Sequence, residues 1–83
     1  MPSIVKVKSN EEAITTETTV SSARVVRVYA PSDALITVQD VSANTVIGTF
    51  TIPGGRVDYV EKRPDDTISS NTTVYGVSVS FNT

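Results

Sequence analysis

The stretch VRVYAPSDALITV, Val26 to Val38, alternates apolar and other residues with period two on both sides of a Pro31-Ser32-Asp33 break. Such alternation is the mark of half-buried strands, and a short break with Pro and Asp is a turn signal. Read as a hairpin, the break places Ala30 opposite Ala34, Val28 opposite Ile36 and Val26 opposite Val38. Arg24 and Asp40 then face each other as an opposite-charge pair.

The same logic runs onward. In VQDVSANTVIGTF, Ser42-Ala43-Asn44 reads as the next loop, because Asn44 tolerates the left-handed backbone that the last loop position requires. Ile36 then meets Phe50 and Val38 meets Gly48. For IPGGRV, a Gly-Gly turn would place Pro53 at a ladder position where it has no N–H to donate. A loop from Pro53 to Arg56 avoids this and pairs Ile52 with Val57 and Phe50 with Tyr59.

One apolar face is expected from these pairings, running from Val26, Val28 and Ala30 through Ile36, Val38, Phe50 and Ile52 to Val57 and Tyr59. Its cover is expected from Ile4 to Val7 and from Tyr75, Val77, Val79 and Phe81, which alternate with Gly76, Ser78 and Ser80. The expected fold is all-β, a small antiparallel β-sandwich of jelly-roll type or a flattened barrel, with about six to eight strands. Composition agrees. Val, Thr, Ser and Ile dominate, and Leu35 is the single leucine. A capping box at Ser9-Asn10-Glu11-Glu12 could open a helix, but the β-branched AITTETTV that follows favours strand or loop.

The chain of 83 residues suits a single β domain over 1–83, with residues 1–20 as an arm or an edge strand and Thr15 to Ser22 as a mobile stretch. It has no Cys and no His, so disulfides and the commonest bases and nucleophiles are missing. A net charge of −2 offers no basic field for nucleic acid. MPSIVKVKSNEE lacks the apolar core of a secretory leader, and no run reaches membrane-spanning length.

The densest chemistry is the knot Glu61-Lys62-Arg63-Pro64-Asp65-Asp66. Asp58, Glu61, Asp65 and Asp66 are its oxygen ligands, but the Gly-containing pattern of a calcium loop is absent. A pair of carboxylates on so small a sandwich has little cleft to exclude water. The knot therefore reads as a turn with capping aspartates, and no catalytic residue, metal or cofactor is expected. Asn71-Thr72-Thr73 matches a glycosylation sequon without a leader to make use of it. On the outer face, Tyr29, Leu35, Ile47 and Val60 are expected to form an apolar patch of the kind that marks a partner surface.

IGTFTIPGGRVDYVEKRPDDTIS, Ile47 to Ser69, and VYGVSVSFNT at Val74 to Thr83 together resemble short virion structural proteins of tailed bacteriophages, especially cyanophage-like ones. A Thr-Phe-Thr-Ile-Pro stretch, a Glu-Lys-Arg-Pro-Asp-Asp-Thr-Ile corner and a Val-Ser-Val-Ser-Phe end carry the likeness. The resemblance implies a non-catalytic capsid decoration or cement subunit, or a minor tail component, made in the host cytoplasm and carried in the virion. Implied partners are further copies of the chain and another virion protein such as the major capsid protein. Lys62, Arg63, Asp65 and Asp66 would then belong to a docking loop with intersubunit ion pairs. The alternative is a carbohydrate- or receptor-binding module of a tail or fibre.

Overall fold

The computed structural model describes residues 4–82, the side chains of Ile4, Phe81 and Asn82 lying outside the described set. Eight strands form in chain order: β1 (Ile4–Val7), β2 (Glu12–Ile14), β3 (Val25–Ala30), β4 (Ala34–Asp40), β5 (Thr45–Ile52), β6 (Arg56–Glu61), β7 (Thr67–Ser70) and β8 (Val74–Asn82). They build two antiparallel sheets. The larger has the order β1-β8-β3-β6, with β2 also paired to β8; the smaller has the order β5-β4-β7. The fold is a small β-sandwich, as the alternation predicts.

Two of the three expected hairpins are corners between the sheets. β3 pairs with β6 and β8, not with β4, and β6 pairs with β3, not with β5. The β4–β5 hairpin and the β3–β6 pair thus form one long ribbon folded over at Pro31–Asp33 and Pro53–Gly55. At the fold the two segments touch: Gly54 N donates to Asp33 Oδ1 at 2.7 Å and Gly55 N donates to the Ala30 carbonyl at 2.7 Å. Gly55 has φ +81°, and a Cβ on Gly54 would lie 2.9 Å from Ser32 Cα, so the crossing needs both glycines.

The corner also corrects the phase of β6. Three residues, Pro53 to Gly55, separate β5 from β6, so Val60 faces inward and Val57 and Tyr59 face outward, opposite to the expectation. Val60 is 7% exposed and Tyr59 46%. The same inversion holds in β8. Val74 and Gly76 point at the core, where a Cβ on Gly76 would meet Ile14 Cδ1 at 2.6 Å. Tyr75, Val77 and Val79 therefore lie on the opposite face, not over the core as expected.

The β4–β5 hairpin keeps the expected Ile36–Phe50 and Val38–Gly48 pairs, and Asn44 has φ 53° as its loop position requires. Its loop is Val41 to Asn44, with Ile47 bulged out between Gly48 and Val46. Asp40, expected beside Arg24, pairs instead with Arg63.

Between the sheets lie Ile14, Val26, Val28, Ala30, Val60 and Val74 from one side and Ala34, Ile36, Ile52 and Ile68 from the other. Each buried aliphatic side chain contributes about 1.5–3 kcal/mol. Val38 and Phe50 are only partly buried against this set.

Thr15 to Ser22, read as mobile, is packed. Thr18 bridges to Ile68 in the smaller sheet, and Val20 is fully buried. Val20, Ser21 and Ser22 turn in the left-handed region, with φ 53°, 56° and 56°. The turn is closed by Ala23 N donating to the Thr19 carbonyl.

Candidate interaction surfaces

The charged knot follows β6 at one end of the sandwich. Lys62 is buried, and its ammonium donates to the carbonyls of Ala23 at 2.8 Å and Arg63 at 3.2 Å, with Pro64 O at 3.5 Å. It ties together the backbone carbonyls of this corner, the bond to Ala23 being buried. Burial pulls the Lys62 pKa below the ordinary lysine value, against the opposing attraction of Asp66 and Asp65.

Arg63 and Asp66 form a closed turn. The Asp66 carboxylate accepts from Arg63 backbone N, Nε and Nη2, at 3.1, 3.0 and 3.0 Å, while Asp66 N donates to the Arg63 carbonyl. Arg63 Nη2 also reaches Asp40 Oδ2 across to the smaller sheet, at 2.7 Å. Asp40 accepts further from Ser42 Oγ and Ala43 N. The hydrogen bond from Arg63 is the main cause that lowers Asp40 from 3.8 to about 2, and it also lowers Asp66; the two carboxylates raise Arg63 in turn. Lys62, Arg63 and Asp66 are thus engaged within the chain, and Asp65 alone of the four is exposed without a role in the clasp.

Among the described residues no group of three or more His, Cys, Asp or Glu is placed to hold a metal ion. Beside the clasp an open groove of about 810 Å³ runs between the sheets, lined by Arg24, Val38, Ile47, Lys62, Arg63 and Asp66 among others. Asn71 is engaged too: its Oδ1 accepts from Leu35 N and its backbone N donates to the Leu35 carbonyl.

The four expected patch residues do not share a face. Tyr29 lies on the outside of the larger sheet, Leu35 on the outside of the smaller, Ile47 at the bulge beside the groove, and Val60 in the core. The register instead assembles a different apolar surface on the outside of the larger sheet. One row is Tyr75-Tyr29-Val57, the next Val77-Arg27-Tyr59, and the third Val7-Val79-Val25-Glu61. No strand of the described residues lies over it. Even so, Val77 and Val79 are nearly inaccessible, being 5% and 2% exposed, and Ser9, Asn10 and Glu11 line a groove together with Val77, Arg27 and Tyr59.

The outside of the smaller sheet is different, with rows Thr49-Thr37-Ser69, Thr51-Leu35 and Val46-Gln39-Thr67. The contrast is not legible in the sequence because it depends on β8 lying between β1 and β3. One clue was available. Tyr75, Val77 and Val79 alternate with glycine and serine, and the bare Gly76 backbone makes room on its core side for Ile14 and Val26.

No family model matches this chain, and neither a curated protein nor a solved structure does.

Proposed function

We propose that the chain is a non-catalytic structural subunit that works by docking, of the phage virion decoration type that its second half resembles. On this proposal it is made in the host cytoplasm and assembles on another virion protein such as the major capsid protein. The observation that carries the reading is the difference between the two outer faces. The Thr- and Ser-rich face suits water, whereas the Tyr- and Val-rich face is larger and less polar than a solvated sheet needs. Tyr is well suited to such contacts, since it presents a large rigid surface at low conformational cost.

The charged corner supports the same reading. A hydrolytic or metal-dependent site needs groups free to meet a ligand, and Arg63, Asp66, Asp40 and Lys62 are held by one another or by backbone carbonyls.

Mass spectrometry of purified virions from a phage that carries the gene tests the proposal. Peptides of this chain at a copy number comparable to that of a shell protein are expected. Their absence from intact particles overturns it.

A second reading is favoured by one observation: Tyr29, Tyr59 and Tyr75 all lie on one face, where aromatic rings can stack on sugars. A carbohydrate-binding module of a tail or fibre would give hits on a glycan array that disappear in Tyr75→Ala, and a decoration subunit would give none.

A further inference from the structure

We propose that the open edge of β5 takes up an extended, neutral or basic segment of another polypeptide as an additional strand of the smaller sheet. The edge is separate from the outer face of the larger sheet, so the inference goes beyond the function proposed above.

The register fixes which backbone groups are on offer. Leu35 N and O are both engaged with Asn71, on the β7 side of β4. Leu35 and its partner Thr51 are therefore a non-hydrogen-bonded pair, and so, two residues along, are Thr37 and Thr49. In such a pair the N–H and C=O groups point away from the shared ladder, so those of Thr49 and Thr51 point out of the free side of β5. They recur about 7 Å apart, the repeat of an extended chain. β5 ends its sheet, and among the described residues no backbone group bonds to it from that side. Another extended backbone is the partner that matches such a row, which defines the occupant.

Among the described strands, β5 is also the edge left unguarded. Sheets blunt their free edges with charge, proline, short length or a cover. β6 carries Arg56, Asp58 and Glu61, with Asp58 paired to Val28 and so on the inward side. β1 is four residues long and contains Lys6, and β2 is three residues long and begins with Glu12. β7 is covered by Thr18, which exchanges both backbone hydrogen bonds with Ile68. β5 has eight residues with neither charge nor proline, and its bulge at Ile47 leaves Gly48 to Ile52 regular.

The core is incomplete at the same place. Phe50 and its neighbour Val38 are only partly buried, and an apolar side chain on an added strand would lie beside Phe50 and cover it. The free edge of β6 lies on this side too, joined to β5 through the Pro53–Gly55 corner. Asp58 and Glu61 on it are exposed and take part in no ion pair among the described residues, so they repel an acidic segment. A second copy presenting its own β5 would bring the same two carboxylates, with one Arg56, against these. A separate neutral or basic segment meets no such opposition.

The test is an amide chemical-shift titration of the full chain with the synthetic heptapeptide Lys-Thr-Val-Thr-Val-Thr-Lys, and with its counterpart ending in Glu at both positions. The lysine peptide should bind with a dissociation constant of about 1 mM or tighter, shifting amides of Gly48 to Ile52, and the acidic one should bind several-fold more weakly. Thr49→Pro removes an outward N–H that the fold does not use, so the variant should stay folded by circular dichroism and bind about tenfold more weakly or worse. Should that variant fail to fold, the Thr49 and Thr51 amides of the wild type must still exchange freely alone and slow on adding the peptide. No binding at several-fold above that concentration, binding kept in Thr49→Pro, equal binding of the acidic peptide, or shifts centred on the larger sheet each overturn the inference. Sedimentation showing self-association that Thr49→Pro abolishes would overturn it in favour of a second copy. The virion role is untouched by any of these results, since it stands or falls on the composition of the particle.

Discussion

Arg63 holds Asp66 through three hydrogen bonds while reaching Asp40 on the opposite sheet with the same guanidinium nitrogen that grips Asp66. The corner after β6 is thereby tied to the end of β4, closing one end of the sandwich with charge where the apolar packing thins out at Val38. Arg suits the task because its planar fork serves several carboxylate oxygens in a fixed geometry.

Acid should loosen this clasp. Asp40 and Asp66 both have folded pKa values below the ordinary carboxylate value, so their contribution is complete above about pH 4 and is lost as pH falls through the folded values, near 2 for Asp40. Thermal melts at a series of acid pH values should show a steep loss over that window. In Arg63→Gln the main cause of both shifts is gone, so the melting temperature falls at neutral pH and its slope between about pH 4 and pH 2 flattens. An unchanged slope would show that the clasp does not hold in solution.

The crossing of the two corners admits no side chain at Gly54. Gly54→Ala should destabilise by about 1–3 kcal/mol, since the new methyl meets Ser32 backbone atoms at 2.9 and 3.1 Å that have no rotamer to move away. Gly48→Ala is the matched control, with nothing within 4 Å of the added carbon, and should change stability by less than about 1 kcal/mol. Urea denaturation of the two variants side by side checks the corner.

Core and surface side chains should separate cleanly. Ile36→Ala and Ile52→Ala each remove a fully buried side chain between the sheets and should cost about 2–5 kcal/mol. Tyr59→Ala removes a side chain nearly half exposed and should cost clearly less in the monomer. If Tyr59→Ala matched Ile36→Ala at low protein concentration, the phase assigned to β6 would be wrong.

The left-handed turn before β3 offers a gain. Ser21 is exposed with φ 56°, a conformation that costs a residue with a Cβ roughly 1 kcal/mol and costs glycine little. Ser21→Gly should therefore raise stability by about 0.5–1 kcal/mol, read as a higher denaturation midpoint. Val20 beside it is the poorer target, since its side chain is fully buried and the packing lost would offset any relief.

The sequence by itself determined the all-β class, the strands from Val26 to Phe50, the inward set Val26, Val28, Ala30, Ile36 and Ile52, and the left-handed Asn44. Period-two alternation and turn chemistry are local, and local rules suffice for these. Tertiary structure decided the rest. A short break such as Pro31-Ser32-Asp33 keeps the same residues inward whether the next strand pairs alongside or crosses to the other sheet, so alternation does not distinguish a hairpin from a corner. At Pro53-Gly54-Gly55 the difference of one residue in loop length reversed β6, sending Val60 into the core and Tyr59 to the surface. The apolar outer face belongs to this second class: Tyr29, Tyr59 and Tyr75 become neighbours only because β3 is paired with both β6 and β8, a long-range choice made by packing.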